Sequence, residues 1–337
     1  MRILVTGGLG FIGSHTCVEL INNGHEVVIV DNLYNSNIHV LDRIEKITGV
    51  KPMFYQVDIL DYKGLENVFI SNNFDGVIHF AGYKAVGESV SIPLTYYQNN
   101  ISGSINLYKL MEKYNVKNLI FSSSATVYGD SFEVPFKEEY GRGETTNPYG
   151  TSKLMNEIII EDFAKANSKL SAVVLRYFNP IGAHQSGLIG EVPNGIPNNL
   201  VPYIARVASG AYDCLKVYGD DYDTIDGTGV RDYIHVVDLA KAHVLALEYA
   251  NKHLGCEIVN VGTGKGYSVL EVIKAYEKAC GHSIAYKIED RRPGDIASCY
   301  ASTDKASKLL GFKAEYDIED MCKDSYNFTV KNPNGIE

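Results

Sequence analysis

Tyr149 and Lys153 stand four residues apart in Tyr149-Gly150-Thr151-Ser152-Lys153, at the opening of a segment with helical periodicity. Residues at i and i+4 share one face of a helix. An ammonium beside a phenol favours the phenolate and lowers its pKa from about 10. A base poised nearer neutrality is what oxidation of an alcohol needs. The spacing alone is common, and a surface pair explains most of its occurrences. It gains meaning from Ser122-Ser123-Ser124, which follows an apolar strand. The Ser124 hydroxyl can share a proton with the same substrate oxygen; otherwise it is an ordinary turn residue.

A second constellation supplies an oxidant. Gly7-Gly8-Leu9-Gly10-Phe11-Ile12-Gly13 follows the first apolar run and opens the first helical one. It reads as G-x-G-x-x-G from Gly8 or as G-x-x-G-x-x-G from Gly7. In either frame, glycines let the backbone turn sharply and approach a pyrophosphate seated on the helix N-terminus. Asp31, about 20 residues on, ends the second strand. Its carboxylate suits an adenosine ribose and would repel a 2′-phosphate, which argues for NAD over NADP. Its plainer reading is a strand-terminal Asp making a turn. Asp58 ends a third run, where an adenine contact is possible.

The elements that must hold these residues alternate. Strand-like runs cover Arg2 to Thr6, Glu26 to Asp31, Lys51 to Val57, Gly76 to Ala81, Asn118 to Ser122 and Leu170 to Tyr177. Helical periodicity covers Ser14 to Asn22, ended by Gly24, and also Thr95 to Tyr114 and Lys153 to Ala166. Near-continuous apolar strands alternating with helices predict a doubly wound parallel α/β sheet covered on both faces. Beyond Asn179, glycine and proline punctuate the chain at Pro180, Gly182, Gly187, Gly190, Pro193, Gly195 and Pro197. Short strands and helices such as Val269 to Ala279 then predict a smaller mixed α/β lobe completing a cleft.

The 337 residues suit two domains or one large elaborated one. A formal net charge of −10 and no basic run disfavour nucleic acid, although an arginine pair can still hold a phosphate. Nothing reads as a signal peptide, and no stretch approaches the ~18–20 apolar residues of a membrane span. The six cysteines, Cys17, Cys214, Cys256, Cys280, Cys299 and Cys322, show no C-x-x-C or zinc spacing. They suit free thiols in a reducing cytoplasm, with no metal.

Further segments sharpen the pattern. They are Ser124-Ala125-Thr126-Val127-Tyr128-Gly129, Asn147-Pro148-Tyr149-Gly150, Leu175-Arg176-Tyr177-Phe178-Asn179-Pro180 and Gly182-Ala183-His184. To these are added Ile196-Pro197-Asn198-Asn199-Leu200 and Gly229-Val230-Arg231-Asp232-Tyr233-Ile234-His235. With the glycine turn and the Tyr-Lys pair, they resemble the extended short-chain dehydrogenase/reductase superfamily. Within it they resemble the UDP-galactose (UDP-glucose) 4-epimerase family, from the first strand to about Ala301.

The resemblance implies a Rossmann-type domain over residues 1–180, with a return segment around 232–262, and a sugar-nucleotide lobe over 181–337. It implies reversible epimerisation at C4 of UDP-glucose and UDP-galactose through a transient 4-keto sugar and tightly bound NAD. Tyr149 moves the hydroxyl proton, Lys153 holds the nicotinamide ribose and tunes Tyr149, and Ser124 binds the reacting oxygen. Around NAD it places Gly7, Gly10, Phe11, Ile12, Gly13, Asp31, Asn32, Asn35 and Ser36. It adds Asp58, Ile59, Phe80, Ala81, Gly82, Lys84, Asn99 and Phe178. Around the sugar-nucleotide it places Asn179, Asn199, Leu200, Tyr218, Arg231, Arg292, Asp295 and Cys299. The guanidinium forks of Arg231 and Arg292 suit a diphosphate. It also implies a homodimer packed through two helices per subunit, for which 99–114 and 153–166 are the candidates.

Cys299 follows Arg291-Arg292-Pro293-Gly294-Asp295. A bulky Tyr at that family position closes the sugar pocket, and a small residue leaves room for a 2-acetamido group. UDP-GlcNAc and UDP-GalNAc are therefore expected as substrates; otherwise Cys299 is a packing thiol. A sugar-nucleotide 4,6-dehydratase is the nearest competing activity, but its acid and base positions hold Ala125 and Thr126. A net reductase with exchangeable cofactor and a non-catalytic NAD-binding sensor also compete with the epimerase.

Overall fold

The computed structural model describes residues 1–193, 195–292 and 295–337. The first half alternates β1 (Arg2–Thr6), α1 (Phe11–Asn22), β2 (Glu26–Asp31), α2 (Val40–Thr48), β3 (Met53–Gln56), α3 (Tyr62–Ser71) and β4 (Gly76–His79). After α4 (Val86–Ser91), α5 (Pro93–Tyr97) and α6 (Gly103–Lys113) come β5 (Asn118–Ser124), α7 (Pro148–Ala166) and β6 (Ser171–Tyr177). The smaller lobe begins with β7 (Asn179–Ile181), α8 (Leu200–Ala208), β8 (Leu215–Tyr218) and β9 (Val230–His235). The chain then makes α9 (Val236–Ala250) and β10 (Gly255–Val261), followed by β11 (Gly266–Ser268), α10 (Val269–Cys280), β12 (Tyr286–Glu289) and β13 (Ser298–Cys299). It closes with α11 (Asp304–Leu310) and α12 (Ile318–Lys331).

Seven strands form one parallel sheet in the order β10-β6-β5-β4-β1-β2-β3. Side chains alternate across it as the pleat requires. On β1, Ile3 and Val5 enter a core with Val18, Ile44 and Leu247, under α1, α2 and α9. Leu4 enters the opposite core with Leu65, Leu107, Met111 and Ile160, under α3, α6 and α7. This is the doubly wound α/β sheet that the alternating pattern predicts. The smaller lobe pairs β9 with β7, β11 and β13, and β8 with β12, over a core from α8, α10 and α12. The chain re-enters the large sheet through β10, which pairs with β6 after α9 has packed beside α1.

Several boundaries differ from those read in the sequence. The third strand starts at Met53 because Pro52 has no N–H for a ladder. The fourth stops at His79, since the N–H groups of Phe80 and Ala81 both turn to the Thr6 carbonyl, at 3.0 and 3.1 Å. Residues 95–114 are not one α-helix: a π-helical turn, Gln98–Ser102, separates α5 from α6. Helix α7 begins at Pro148, where Asn147 caps it by accepting from the Gly150 N–H at 2.8 Å.

A buried ion cluster fixes α7 to the sheet. Arg176 and Glu157 are 1% and 0% exposed at their side chains. Arg176 donates from Nε and Nη2 to the two Glu157 oxygens at 2.9 and 2.7 Å. Ser123 Oγ donates to the same carboxylate at 2.6 Å, and Arg142 Nε at 3.0 Å. Arg176 Nη1 reaches the Gly141 carbonyl at 2.8 Å. One carboxylate thereby joins α7, β5, β6 and the loop before α7. Removing one partner of such a pair leaves a buried charge uncompensated. Glu157→Ala should lower unfolding free energy by about 3–5 kcal/mol, read from urea denaturation. A loss below about 1 kcal/mol would show that the cluster does not hold the helix.

Candidate active site

β1 runs directly into the glycine turn. Gly7 has φ of +70°, and a Cβ there would lie 2.8 Å from Ala81 N. A Cβ on Gly13 would lie 2.3 Å from the Gly7 carbonyl oxygen. Gly8 packs on Ile29 instead, so positions 7, 10 and 13 shape the turn. Gly10 caps α1 without a side chain, so the first-turn N–H groups are left to an anion. A cradle that any Cβ would fill, at the positive end of a 12-residue helix, fits a dinucleotide pyrophosphate. Phe11 and Ile12 open that helix, with the Phe11 ring packed on His15.

Asp31 closes the turn from the side. Its carboxylate accepts from Leu9 N at 3.1 Å, Leu33 N at 2.9 Å and Ser36 Oγ at 2.8 Å. Asn32 donates to Asp58 at 2.8 Å, and Asn35 is exposed on the same loop. Ile59 is buried, lying where a Cβ on Gly103 would be 2.5 Å away. The Phe80 ring turns into the core, 4.8 Å from that of His243, so Phe80 and Ala81 offer backbone to the turn. A Cβ on Gly82 would face Asn100 Oδ1 at 3.3 Å and Lys153 Nζ at 3.9 Å. Asn99 and Asn100 bond to each other at 2.9 Å within the π-helical turn.

The Tyr-Lys pair sits on the first turns of α7, against the end of β5. Lys153 Nζ donates to the Ser122 carbonyl at 2.7 Å and lies 5.0 Å from the Phe121 ring centre. Burial lowers its ammonium to about 8, against the opposing charge of Glu157 one turn on. Burial pushes the Tyr149 phenol up; the neighbouring Ser124 hydroxyl and the charge of Lys84 pull it back. In the free chain, then, Lys153 does not bring the phenol below its ordinary value as the spacing suggests. Its ammonium is spent on a carbonyl, 5.9 Å from the Tyr149 ring centre. Ser124 Oγ accepts from Thr126 N at 3.2 Å and Thr126 Oγ1 at 3.1 Å, which leaves its own proton free to donate.

Lys84 reaches the other wall of the cleft. Its Nζ meets Glu191 Oε1 at 3.0 Å, and Asn199 Nδ2 approaches the same oxygen at 3.4 Å. Glu191 holds the Lys84 ammonium above its usual range. Asn199 occupies the N-cap position of α8, whose first residue is Leu200, without a side-chain bond to the helix. In the smaller lobe, Arg292 donates to Asp295 at 3.2 Å and lies over Tyr218, 4.6 Å from the ring centre. Arg231 on β9 lies 3.9 Å from the same Asp295 carboxylate. Pro293 and Gly294 lie outside the described residues. Asn179 opens β7 beside Tyr233. Phe178 is buried with Ala125, Phe136 and Ala301, and Cys299 packs against this group. Burial pushes the Cys299 thiol up to about 12, so it is a small neutral side chain.

The structure adds residues that sequence reasoning missed. Asn100 donates to the Tyr83 carbonyl at 3.0 Å and to Ser152 Oγ at 2.9 Å, and accepts from Tyr83 N at 2.8 Å. Nothing in its local sequence signals this. Glu157 was more findable, one helical turn beyond Lys153 on the face of Tyr149. Asp232 accepts from Thr263 N at 2.8 Å, Gly264 N at 3.0 Å and Ala301 N at 3.2 Å, which anchors the strand bearing Cys299. Glu191 carried no motif. Among the described residues no group of three His, Cys, Asp or Glu is placed to hold a metal, and no helix is long and apolar enough to cross a membrane. All six cysteines are free.

Comparison with known proteins bears on this geometry. Residues 3–262 match the model of the NAD dependent epimerase/dehydratase family. The UDP-glucose 4-epimerase of Bacillus subtilis is 56% identical over 337 residues, covering 100% of this chain and 99% of that one. The crystal structure of UDP-glucose 4-epimerase from Bifidobacterium longum, in complex with NAD+ and UDP, superposes with a TM-score of 0.96. It is 58% identical, over 99% of this chain and 100% of that one. The UDP-Glc/GlcNAc 4-epimerase from Campylobacter jejuni gives 0.85 at 35% identity, over 98% and 99% of the two chains.

The balance at Tyr149 can be read directly. With tyrosine labelled at Cζ, the Tyr149 resonance should titrate above an ordinary phenol in the ligand-free protein. Ser124→Ala and Lys84→Met should each move it higher still, since each removes a group that favours the phenolate. A downward move in either variant would contradict the assignment.

Proposed function

The chain belongs to the NAD dependent epimerase/dehydratase family, and on that premise we propose that it interconverts UDP-glucose and UDP-galactose by epimerisation at C4. The observation that carries the reading is Tyr149 and Lys153 on the first turns of α7 with Ser124 at the end of β5, together with two arginines that share Asp295 in the smaller lobe. A 4,6-dehydratase is disfavoured, because Ala125 and Thr126 follow Ser124 where an acid and a base are needed.

When bound, NAD supplies the hydride acceptor and then the hydride donor for C4. The glycine turn, Asp31 and Lys153 would hold it, with Asn32, Asn35, Ser36, Asp58 and Lys84 along its length. Ser124 donates to the C4 oxygen. Tyr149 takes the hydroxyl proton as hydride leaves C4, then returns it once the 4-keto sugar has presented its other face. Each cycle restores the protonation state of Tyr149 and consumes nothing. Arg231, Arg292, Tyr218, Asn179 and Asn199 hold the UDP end; binding a diphosphate would replace Asp295 as the arginines' partner. Residues 1–180 with a return at 232–262 serve the cofactor, and 181–337 the sugar-nucleotide. The free cysteines suit a reducing cytoplasm.

The substrate range extends to UDP-GlcNAc and UDP-GalNAc, because Cys299 is small and borders the Phe178 cluster. The purified protein, given no NAD, should convert UDP-galactose and UDP-GalNAc to stable mixtures with their gluco partners, followed by chromatography. No conversion of either, with or without added NAD, would discard the epimerase reading. Cys299→Tyr should abolish acetamido turnover and spare hexose turnover; equal loss of both would discard the pocket argument.

The chain also works as a homodimer in this reading. Helix α6 buries Leu107, Leu110 and Met111 in the core and leaves Lys109, Glu112 and Lys113 exposed. Among the exposed apolar residues, Val90 and Leu94 (80% exposed) lie on the α4–α5 segment, and Met155 and Ile158 on α7. These elements pack side by side. Leu94→Glu with Ile158→Glu should convert a dimer to a monomer by light scattering; an unchanged mass would place the interface elsewhere.

A further inference from the structure

Two tyrosines meet over the glycine turn. Tyr34 lies in the loop after β2 and Tyr83 in the loop after β4, with ring centres 5.0 Å apart and planes at 42°. In the sheet, β1 lies between β2 and β4. Strands are spaced about 4.8 Å apart, so the two loops are rooted about 10 Å from each other. Side chains that touch from those roots must pass over the end of β1, where Gly7 to Gly13 turns into α1.

Both arms are braced. Asn32 Oδ1 accepts from Tyr34 N at 3.0 Å, and Asp31 holds Leu33 N at 2.9 Å. Leu33 has φ of +62°, a conformation that a branched side chain adopts only when held. On the other arm, Asn100 bonds both the N–H and the carbonyl of Tyr83. The Tyr83 ring packs edge-on against Tyr96, 5.5 Å away, and Tyr96 is fully buried. The Tyr96 hydroxyl in turn bonds Ala85 and Glu88. A ladder of three rings thus runs from the core to Tyr34, which is 59% exposed.

We propose that the Tyr34–Tyr83 contact is a clasp across the dinucleotide groove that slows escape of the bound cofactor. The inference rests on the NAD-binding reading above. A cycle that restores its cofactor gains nothing from exchange, so retention favours turnover. Two tyrosines suit the task because each orders a large rigid surface at the cost of two torsions while its hydroxyl stays wet. The clasp positions and retains; it takes no part in proton or hydride transfer.

The test measures release of NAD itself. Wild-type holoenzyme, Tyr34→Ala, Tyr83→Leu and the double variant are passed into NAD-free buffer with an NAD-consuming scavenger. NAD remaining on the protein is then assayed after denaturation at successive times. Each single variant should release NAD about two- to tenfold faster than wild type, the worth of one aromatic pair. The double variant should be no faster than the quicker single, because both remove the same contact. Tyr34→Phe should retain NAD like wild type. Tyr34 is mostly exposed, so its replacement does not threaten the fold. Equal release from all variants, or strictly multiplying effects in the double, would overturn the clasp. A wild-type protein that neither carries nor takes up NAD would sink the functional reading and the clasp with it.

Discussion

A carboxylate shut away from water has to be neutralised where it sits, and the side chain of Glu157 is such a group. Its partners come from β5, β6 and the loop before α7, while Glu157 itself rides on α7. Ion pairs of this kind add little net stability, because desolvation offsets the attraction. What they impose is placement: any slide of α7 along the sheet would strip the carboxylate of its donors. Tyr149 and Lys153 lie two turns and one turn before Glu157 on this helix, so their distance from Ser124 at the end of β5 is set by the same contacts. The charge of Glu157 also opposes the lowering of the Lys153 ammonium by burial.

The cleft lies where the strand order reverses. β1 is flanked by β2 on one side and β4 on the other, and the crossing connections part to opposite faces above it. Ligands of open α/β sheets bind at such points. Across this gap a chain of net charge −10 sets few cations, each with an internal partner: Lys84 with Glu191, Arg231 and Arg292 with Asp295, and Lys153 with the Ser122 carbonyl. In the free chain these pairs satisfy the cations without a ligand.

The π-helical turn shows where local reading fails. Residues 95–114 carry helical periodicity throughout, yet Gln98–Ser102 adopts the wider turn. Such a turn costs energy locally and persists only when tertiary contacts repay it. Here the compensation comes from Asn100, whose amide bonds Tyr83 and Ser152 and whose carbonyl accepts from Asn156 at 2.8 Å. Those partners lie on two other elements, up to 56 residues away, and no pattern around Asn100 announces them.

The sequence alone determined the parallel sheet, the glycine turn and the Tyr149–Lys153 face, because each depends on short-range rules. Pleat and helix periods select buried faces, glycine spacing admits a backbone that no Cβ permits, and i, i+4 neighbours adjoin in any helix. Tertiary structure decided the electrostatics and the closure of the site. The phenol is raised by burial and countered by Lys84, which lies far earlier in the chain, whereas Lys153 is drawn to the Ser122 carbonyl. Glu191 and the Tyr34–Tyr83 contact likewise join segments that meet only when the sheet is assembled. Desolvation and charge act through space, so a group's partners follow from which strands become neighbours, and that order is written in no single stretch of the chain.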